Sequence, residues 1–349
     1  MVTLHDIARK TGVSIGTVSN VLNNTGRVGA DTRKRVLDTM AALNYVPNKM
    51  AKSLKTSQSN TLGVIAEDIT SFDTPRIVDG INEYCEDHSY SITLYNLRID
   101  NKVHDHFYLL EQYNDILTRN ILALSSSRVD GLIYIGVYKR NTELLPLIQD
   151  LKLPVMYVYC YNSKEVPYVD YNDCQGARMA TQYLIENGHK RIGVLCGPVD
   201  TTITNNQLAG YRAALEENGL PFRDEYIRYG NLEAVSGAYH AKRLLSLPEP
   251  PTAIFTMNDI MAYGVYQYAA SAGLRIPEDL SVIGFGNLPY SSYAIPPLTS
   301  VALPLHEIGY TAASALLENR EEVKKGRYLL DCCLQERASV KCLSPIHRK

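Results

Sequence analysis

No stretch of this 349-residue chain stays apolar for the roughly 18–20 residues that a membrane-spanning helix needs, so a transmembrane anchor of that kind is not expected. The opening residues MVTLHDIARK lack the apolar segment of a secretory signal, which predicts a cytoplasmic protein with no membrane partner. The seven cysteines are scattered, with Cys332 and Cys333 adjacent, and none stands in a C-x-x-C pair. Zinc ligation is therefore not indicated, and reduced thiols are expected. A Walker loop is missing. GFGN at 284–287 lacks the further glycines of a dinucleotide fingerprint. Ser125, Ser126 and Ser127 have no partnered histidine nearby, and His104 and His106 lack the further ligands that a metal ion needs. No catalytic residue, metal or cofactor is assigned, and an enzyme is not expected.

What is present is an uneven charge. Residues 1–60 hold nine Lys and Arg against three Asp, a net +6, whereas the remaining residues carry a net −8. A basic head on an acidic body points to a polyanionic partner for the head alone. Within the head, Thr3 can cap a helix, with Asp6 three residues on to bond back. Leu4, Ile7 and Ala8 then share a face, and Gly12 ends the helix. Ser14 caps a second helix with Val18, Val21 and Leu22 inward. A third runs from about Ala30 to Leu43 with Val36, Leu37 and Met40 inward. Two short helices joined by a glycine-containing turn make a helix-turn-helix, whose second helix enters the major groove by its first turn. Its outward residues are Ile15, Gly16, Thr17, Ser19 and Asn20. Small residues permit close approach, hydroxyls bond phosphate, and Asn20 suits adenine. Pro47 stops the third helix, and Asn48 can cap a two-turn helix that needs a partner to fold. Leu54 in that helix can wedge into the minor groove.

TLHDIARKTGVSIGTVSNVLN, followed by TRKRVLDTMAALNYVPNKMAKSL, resembles the headpiece of the LacI/GalR family of bacterial transcription repressors, and the resemblance runs through nearly the whole chain. It implies a headpiece over 1–46, a hinge helix and linker over 47–59, and a dimerisation core over 60–349. It implies operator contacts at Leu4, Ser14, Ile15, Gly16, Thr17, Ser19 and Asn20, continuing through Asn23, Arg27 and Thr32. Tyr45, Asn48, Ala51 and Leu54 complete the set through the hinge. One departure is Asn20, where arginine is common; shape readout then gains weight beside the poorly bonding Ile15 and Gly16.

From Leu62 the rhythm changes. The runs TLGVIAE, YSITLYN, VDGLIYIG and LPVMYVYC alternate with helical segments, and the pattern restarts with KRIGVLCG, TAIFTMND and LSVIGFGN. Such βα alternation predicts an α/β core of two doubly wound parallel-sheet subdomains. The family resemblance adds that this core is like that of the periplasmic binding proteins. The expected subdomains are about 60–159 with 290–320, and about 160–289 with 321–343.

Ligands of open α/β sheets lie beyond the strands' carboxyl ends, so a cleft between the halves is the expected effector site. The resemblance places Phe72, Tyr159, Gln207, Asn258, Asp259 and Asn287 there. Gln207 stands where sugar-binding members have arginine, Gly286 where an aspartate usually follows the strand, and Tyr159 where an acid often ends one. The predicted cleft is less charged and more aromatic, with Phe72, Tyr159 and Tyr161 able to stack on a flat face. His189, after the helix-ending Gly188, reads as structural. The tail KCLSPIHRK carries no leucine heptads, which favours a homodimer over a tetramer. The expected function is a sequence-specific DNA-binding repressor of a carbohydrate operon, answering to double-stranded operator DNA and a small-molecule effector. A nucleobase effector, a protein co-repressor and a plain solute-binding protein stay open as alternatives.

Overall fold

The computed structural model describes residues 2–45, 59–99, 114–126, 128–137, 153–160, 167–199, 201–318 and 326–343. The chain divides into two compact units, Met1–Ser59 and Asn60–Lys349.

The first unit holds α1 (Leu4–Thr11), α2 (Ile15–Leu22) and α3 (Ala30–Ala42). Thr3 and Asp6 form a reciprocal capping box: the Asp6 carboxylate accepts from the Thr3 N–H at 3.0 Å, and the Thr3 hydroxyl accepts from the Asp6 N–H at 3.4 Å. Gly12 ends α1 at φ +67°, a left-handed conformation that costs glycine little. Ile7, Ala8, Val18, Val21, Val36 and Met40 form the small core. Leu37 is the exception to the predicted inward set, being 48% exposed. It follows Val36 by one residue and is rotated by about 100° off the face that Val36 and Met40 share.

The second unit contains two six-stranded sheets. In chain order its elements are β1 (Thr61–Ala66), α4 (Thr74–Asp87), β2 (Ser91–Asn96), α5 (Asn114–Ser126), β3 (Gly131–Ile135), β4 (Val155–Val158) and β5 (Tyr168–Tyr171). Then come α6 (Asp173–Glu186), β6 (Ile192–Cys196), α7 (Thr202–Glu217), β7 (Ile227–Tyr229), α8 (Ala234–Leu245), β8 (Ala253–Thr256), α9 (Asp259–Ser271) and β9 (Ser281–Gly286). The unit closes with β10 (Thr299–Ala302), α10 (Leu305–Glu318), β11 (Arg327–Leu330) and β12 (Cys333–Gln335). Sheet one runs β11-β5-β4-β3-β1-β2, wholly parallel. Sheet two runs β12-β10-β9-β8-β6-β7, parallel except for β12. Strands β1, β3, β4, β6, β8 and β9 are almost continuously buried apolar runs, as sheets covered on both faces require.

Sheet membership corrects the predicted subdomain boundaries. Residues 168–171 extend sheet one past position 159, residues 299–302 belong to sheet two, and YLLDCCLQER splits into β11 on sheet one and β12 on sheet two. The chain thus passes between sheets at 171–173, at 303–304 and at 331–332. Strands β5 and β7 have no clear apolar run, because β5 is four residues long with Asp170 inside it and β7 is a three-residue edge.

Helix pairs pack closely enough to exclude side chains. A Cβ on Gly309 of α10 would strike the Ile77 carbonyl of α4, and one on Gly80 would strike the His306 carbonyl in return. The pair α8 and α9 repeats this through Gly237 and Gly264.

Candidate DNA-reading surface and effector cleft

Helix α2 begins at Ser14, whose hydroxyl accepts from the Thr17 N–H at 3.1 Å and shares a 2.9 Å bond with the Thr17 hydroxyl. This cap satisfies one of the free donors of the first turn and leaves Ile15 and Gly16 exposed on it. One turn on, Asn20 is exposed but not loose. Its carbonyl oxygen Oδ1 accepts from the Thr25 hydroxyl at 3.4 Å, and its backbone carbonyl accepts from the Thr25 N–H at 2.9 Å. Its Nδ2 lies against Gly26, where a Cβ would come within 2.9 Å. Arg33 Nη1 donates to Asn24 Oδ1 at 2.7 Å, tying the same loop to α3. The Asn23 amide turns back to the Ser19 carbonyl at 2.9 Å and the Ser19 hydroxyl at 3.3 Å. Ser14, Ile15, Gly16 and Asn20 are exposed on this helix, Thr17 and Ser19 are half-buried, and in the same unit Arg27, Lys34 and Arg35 are exposed and Thr32 half-buried. Leu4 and Tyr45 pack against the headpiece core and are half-buried. Asn48, Ala51 and Leu54 lie outside the described residues.

In the second unit, strand order reverses at β1/β3 in sheet one and at β6/β8 in sheet two, the positions where doubly wound sheets open a crevice. Sheet one ends there in acids that sequence reasoning passed over. Glu67 is fully buried, its carboxylate accepting from the Tyr134 hydroxyl at 2.6 Å and the Val137 N–H at 2.9 Å. Asp68, equally buried, accepts from the Thr70 N–H at 2.8 Å and hydroxyl at 2.6 Å. The signal was present: an acidic pair directly after the apolar run TLGVIA sits at a strand's carboxyl end.

Several predicted cleft residues have partners within the protein. Tyr159 is 3% exposed and packs edge-on to Tyr171 at 5.3 Å; Tyr171 in turn meets Phe285 of sheet two at 6.0 Å. Burial, with Asp73, Asp170 and Asp173 nearby, pushes the Tyr159 hydroxyl well above its ordinary range. Tyr159 belongs to the core that both sheets share, not to an open stacking wall. Asn258 caps α9, with Oδ1 accepting from the Met261 N–H at 2.9 Å and Nδ2 donating to the Leu232 carbonyl at 2.8 Å. Asp259 is fully buried and accepts from the Leu288 N–H at 2.7 Å, the Ser291 hydroxyl at 2.5 Å and the Ser300 hydroxyl at 2.6 Å. Asn287, at φ +48°, accepts from Arg337 at 2.7 Å. Gln207 is buried on α7, and its Oε1 meets no hydrogen-bond donor among the described residues. Phe72 is 52% exposed and remains available for stacking, whereas Tyr161 is outside the described residues.

His189 is structural, as its sequence context suggested. Its Nε2–H donates to the Lys341 carbonyl at 3.1 Å, which leaves Nδ1 to accept from the Thr252 hydroxyl at 2.9 Å. Burial lowers its pKa, with the Lys341 bond opposing. The folded state therefore holds a neutral ring, so its contribution is complete above the ordinary pKa near 6.5 and fades as pH falls below it. Urea melts should show a falling midpoint from pH 6.5 to 5.5, and His189→Gln should flatten that part of the profile.

No helix among the described residues is long and apolar enough to cross a membrane, and no group of three or more His, Cys, Asp or Glu among them is placed to hold a metal ion. A capped helix-turn-helix unit followed by two linked, doubly wound halves defines a DNA-binding regulator with a ligand-binding core. Residues 3–48 match the bacterial regulatory proteins of the lacI family, and residues 181–340 match a periplasmic binding protein-like domain. The ribose operon repressor of Escherichia coli K12 is 34% identical, over 97% of this chain and all of that one. The transcriptional repressor CytR of the same strain is also 34% identical, over 98% of this chain and 97% of its own length. A lac repressor dimer bound to operator and the anti-inducer ONPF superposes with a TM-score of 0.79 at 28% identity, covering 97% of this chain and 99% of that one. This chain belongs to the lacI family of bacterial regulatory proteins.

Proposed function

We propose that this chain represses transcription as a homodimer in the cytoplasm. Two headpieces, each about residues 1–46, read a two-fold operator. The observation that carries this reading is the first turn of α2, capped by Ser14 and exposing only small or uncharged side chains through Asn20. Asn20, where arginine is common in the family, favours an adenine at its base step. The core serves as a sensor without turnover, and the relative named as a ribose operon repressor makes a carbohydrate effector the first choice, with a nucleobase as the alternative. The unmet acceptor of buried Gln207 suits a ligand that donates a hydroxyl hydrogen there.

The test is selection from a random duplex library, followed by fluorescence anisotropy. We expect a pseudo-palindromic site whose affinity falls steeply with salt, with log K sloping by about −0.9 for each phosphate neutralised. Asn20→Ala should lower preference at one base pair per half-site by about 1–3 kcal/mol. Equal affinity for every sequence rules out specific repression. A sugar or nucleobase that occupies the core should raise the melting temperature.

A further inference from the structure

Two of the three passages between the sheets are bonded to each other through one side chain. Gln175 lies in the first turn of α6, just after the chain leaves sheet one at Tyr171. Its Oε1 accepts from the Cys332 N–H at 3.0 Å, and its Nε2 donates to the Cys332 carbonyl at 3.3 Å. Cys332 lies between β11 of sheet one and β12 of sheet two. A primary amide carries a donor and an acceptor side by side, so it can pair with both backbone groups of one residue as a neighbouring strand would.

The surroundings tighten this clip. The Asn172 N–H donates to the Leu330 carbonyl at 2.9 Å, which prolongs the β5/β11 pairing to the edge of the sheet. Asn172 Oδ1 accepts from the Gln175 N–H at 3.0 Å, setting the start of α6. The Cys332 thiol points at the Asn172 carbonyl, 3.8 Å away. A Cβ on Gly176 would come within 3.1 Å of Cys332 Sγ and 2.9 Å of Phe285, so little room is left for the two passages to slide. The passage at 303–304 has no hydrogen bond to either of the other two among the described residues.

We infer that Gln175 is a positioning residue that fastens the passages at 171–173 and 331–332 into one strap, about which the two halves of the core turn. Opening and closing of the cleft is then a rotation about that strap, with the passage at 303–304 free to follow. Resting on the repressor reading above, the strap sets how strongly the state of the cleft reaches the operator-binding end of the chain. Without it these two passages keep, of the bonds named above, only the backbone bond from Asn172 to Leu330 and the thiol contact, the range of cleft states widens, and the coupling between sites falls.

The experiment compares the full-length chain with Gln175→Leu, which keeps bulk and removes both bonds, and with Gln175→Glu, which keeps only the acceptor for the Cys332 N–H. Residue-resolved amide hydrogen exchange and operator affinity without added ligand are measured for all three. In Gln175→Leu the Cys332 amide should exchange about tenfold faster, while amides in β8 and β9 keep wild-type rates. Gln175→Glu should fall between the two. Operator Kd should shift by about threefold or more in Gln175→Leu, because the free core samples a different range of cleft states. Unchanged exchange at Cys332, exchange that rises evenly through both sheets, or a local rise with unaltered operator affinity each overturns the inference. A wild-type chain that ignores all operators removes the repressor reading, and the exchange at Cys332 still decides whether the clip holds.

Discussion

Asp259→Ala should cost the core about 3 kcal/mol or more, read as a lower urea midpoint at unchanged slope. The Asp259 carboxylate is the common acceptor for the Leu288 N–H and the hydroxyls of Ser291 and Ser300, and the Tyr263 hydroxyl joins the group through Ser291 at 2.8 Å. Alanine leaves the buried Ser291 and Ser300 hydroxyls and the half-buried Leu288 N–H without their acceptor, and an unmet buried donor costs more than the bond it once made. The loop after β9 and strand β10 would lose their shared anchor together. The charge itself is not free: burial raises the Asp259 pKa, with the bonds from Ser291, Ser300 and Leu288 opposing. Because the folded pKa stands above the ordinary carboxylate value, this group favours the folded state most at acid pH, and that part is lost as pH rises through the folded pKa. Asp259→Asn, which removes the charge and keeps one acceptor, should lie between wild type and alanine and should flatten this dependence.

Gly309→Ala should destabilise the chain by about 3 kcal/mol, although it adds a single methyl group. The obstacle is the Ile77 carbonyl, part of the α4 backbone, and it cannot rotate aside as a side chain would. Gly80 faces the His306 carbonyl in the same crossing, so neither helix can shift towards the other's glycine to make room. Helices α4 and α10 must separate, and Ile77, Ile81, Ile308 and Ala312, all fully buried between them, lose contact. Differential scanning calorimetry should show a melting temperature several degrees below wild type. A variant that melts with wild type would mean that the crossing is looser than the backbone geometry implies.

The headpiece was the most legible part. Thr3 and Asp6, Gly12, and Ser14 with Thr17 are interactions within three or four residues, and helix ends are written in spacings of that length. The order of βα units was legible too, since buried parallel strands and amphipathic helices leave different periodicities. Leu37 was misplaced because an apolar residue beside the buried face adds to the apolar count without belonging to that face. The cleft was harder. Tyr159, Asn258, Asp259 and Asn287 were assigned through their positions in the chain, but the partners that occupy them are Tyr171, Leu232, Ser291, Ser300 and Arg337, some 12 to 50 residues away.

By itself, the amino-acid order determined a basic helix-turn-helix head, an α/β body of two series and the residues that the reading helix turns outward, because each depends on neighbours along the chain and on apolar period. Tertiary structure alone decided where the chain changes sheets, which donors the buried carboxylates Glu67 and Asp259 accept from, and that Gln175 meets Cys332 across 157 positions. Those outcomes follow from which donors and acceptors become close once both sheets have formed, and a buried polar atom takes the partner that geometry brings to it, whatever the separation in sequence.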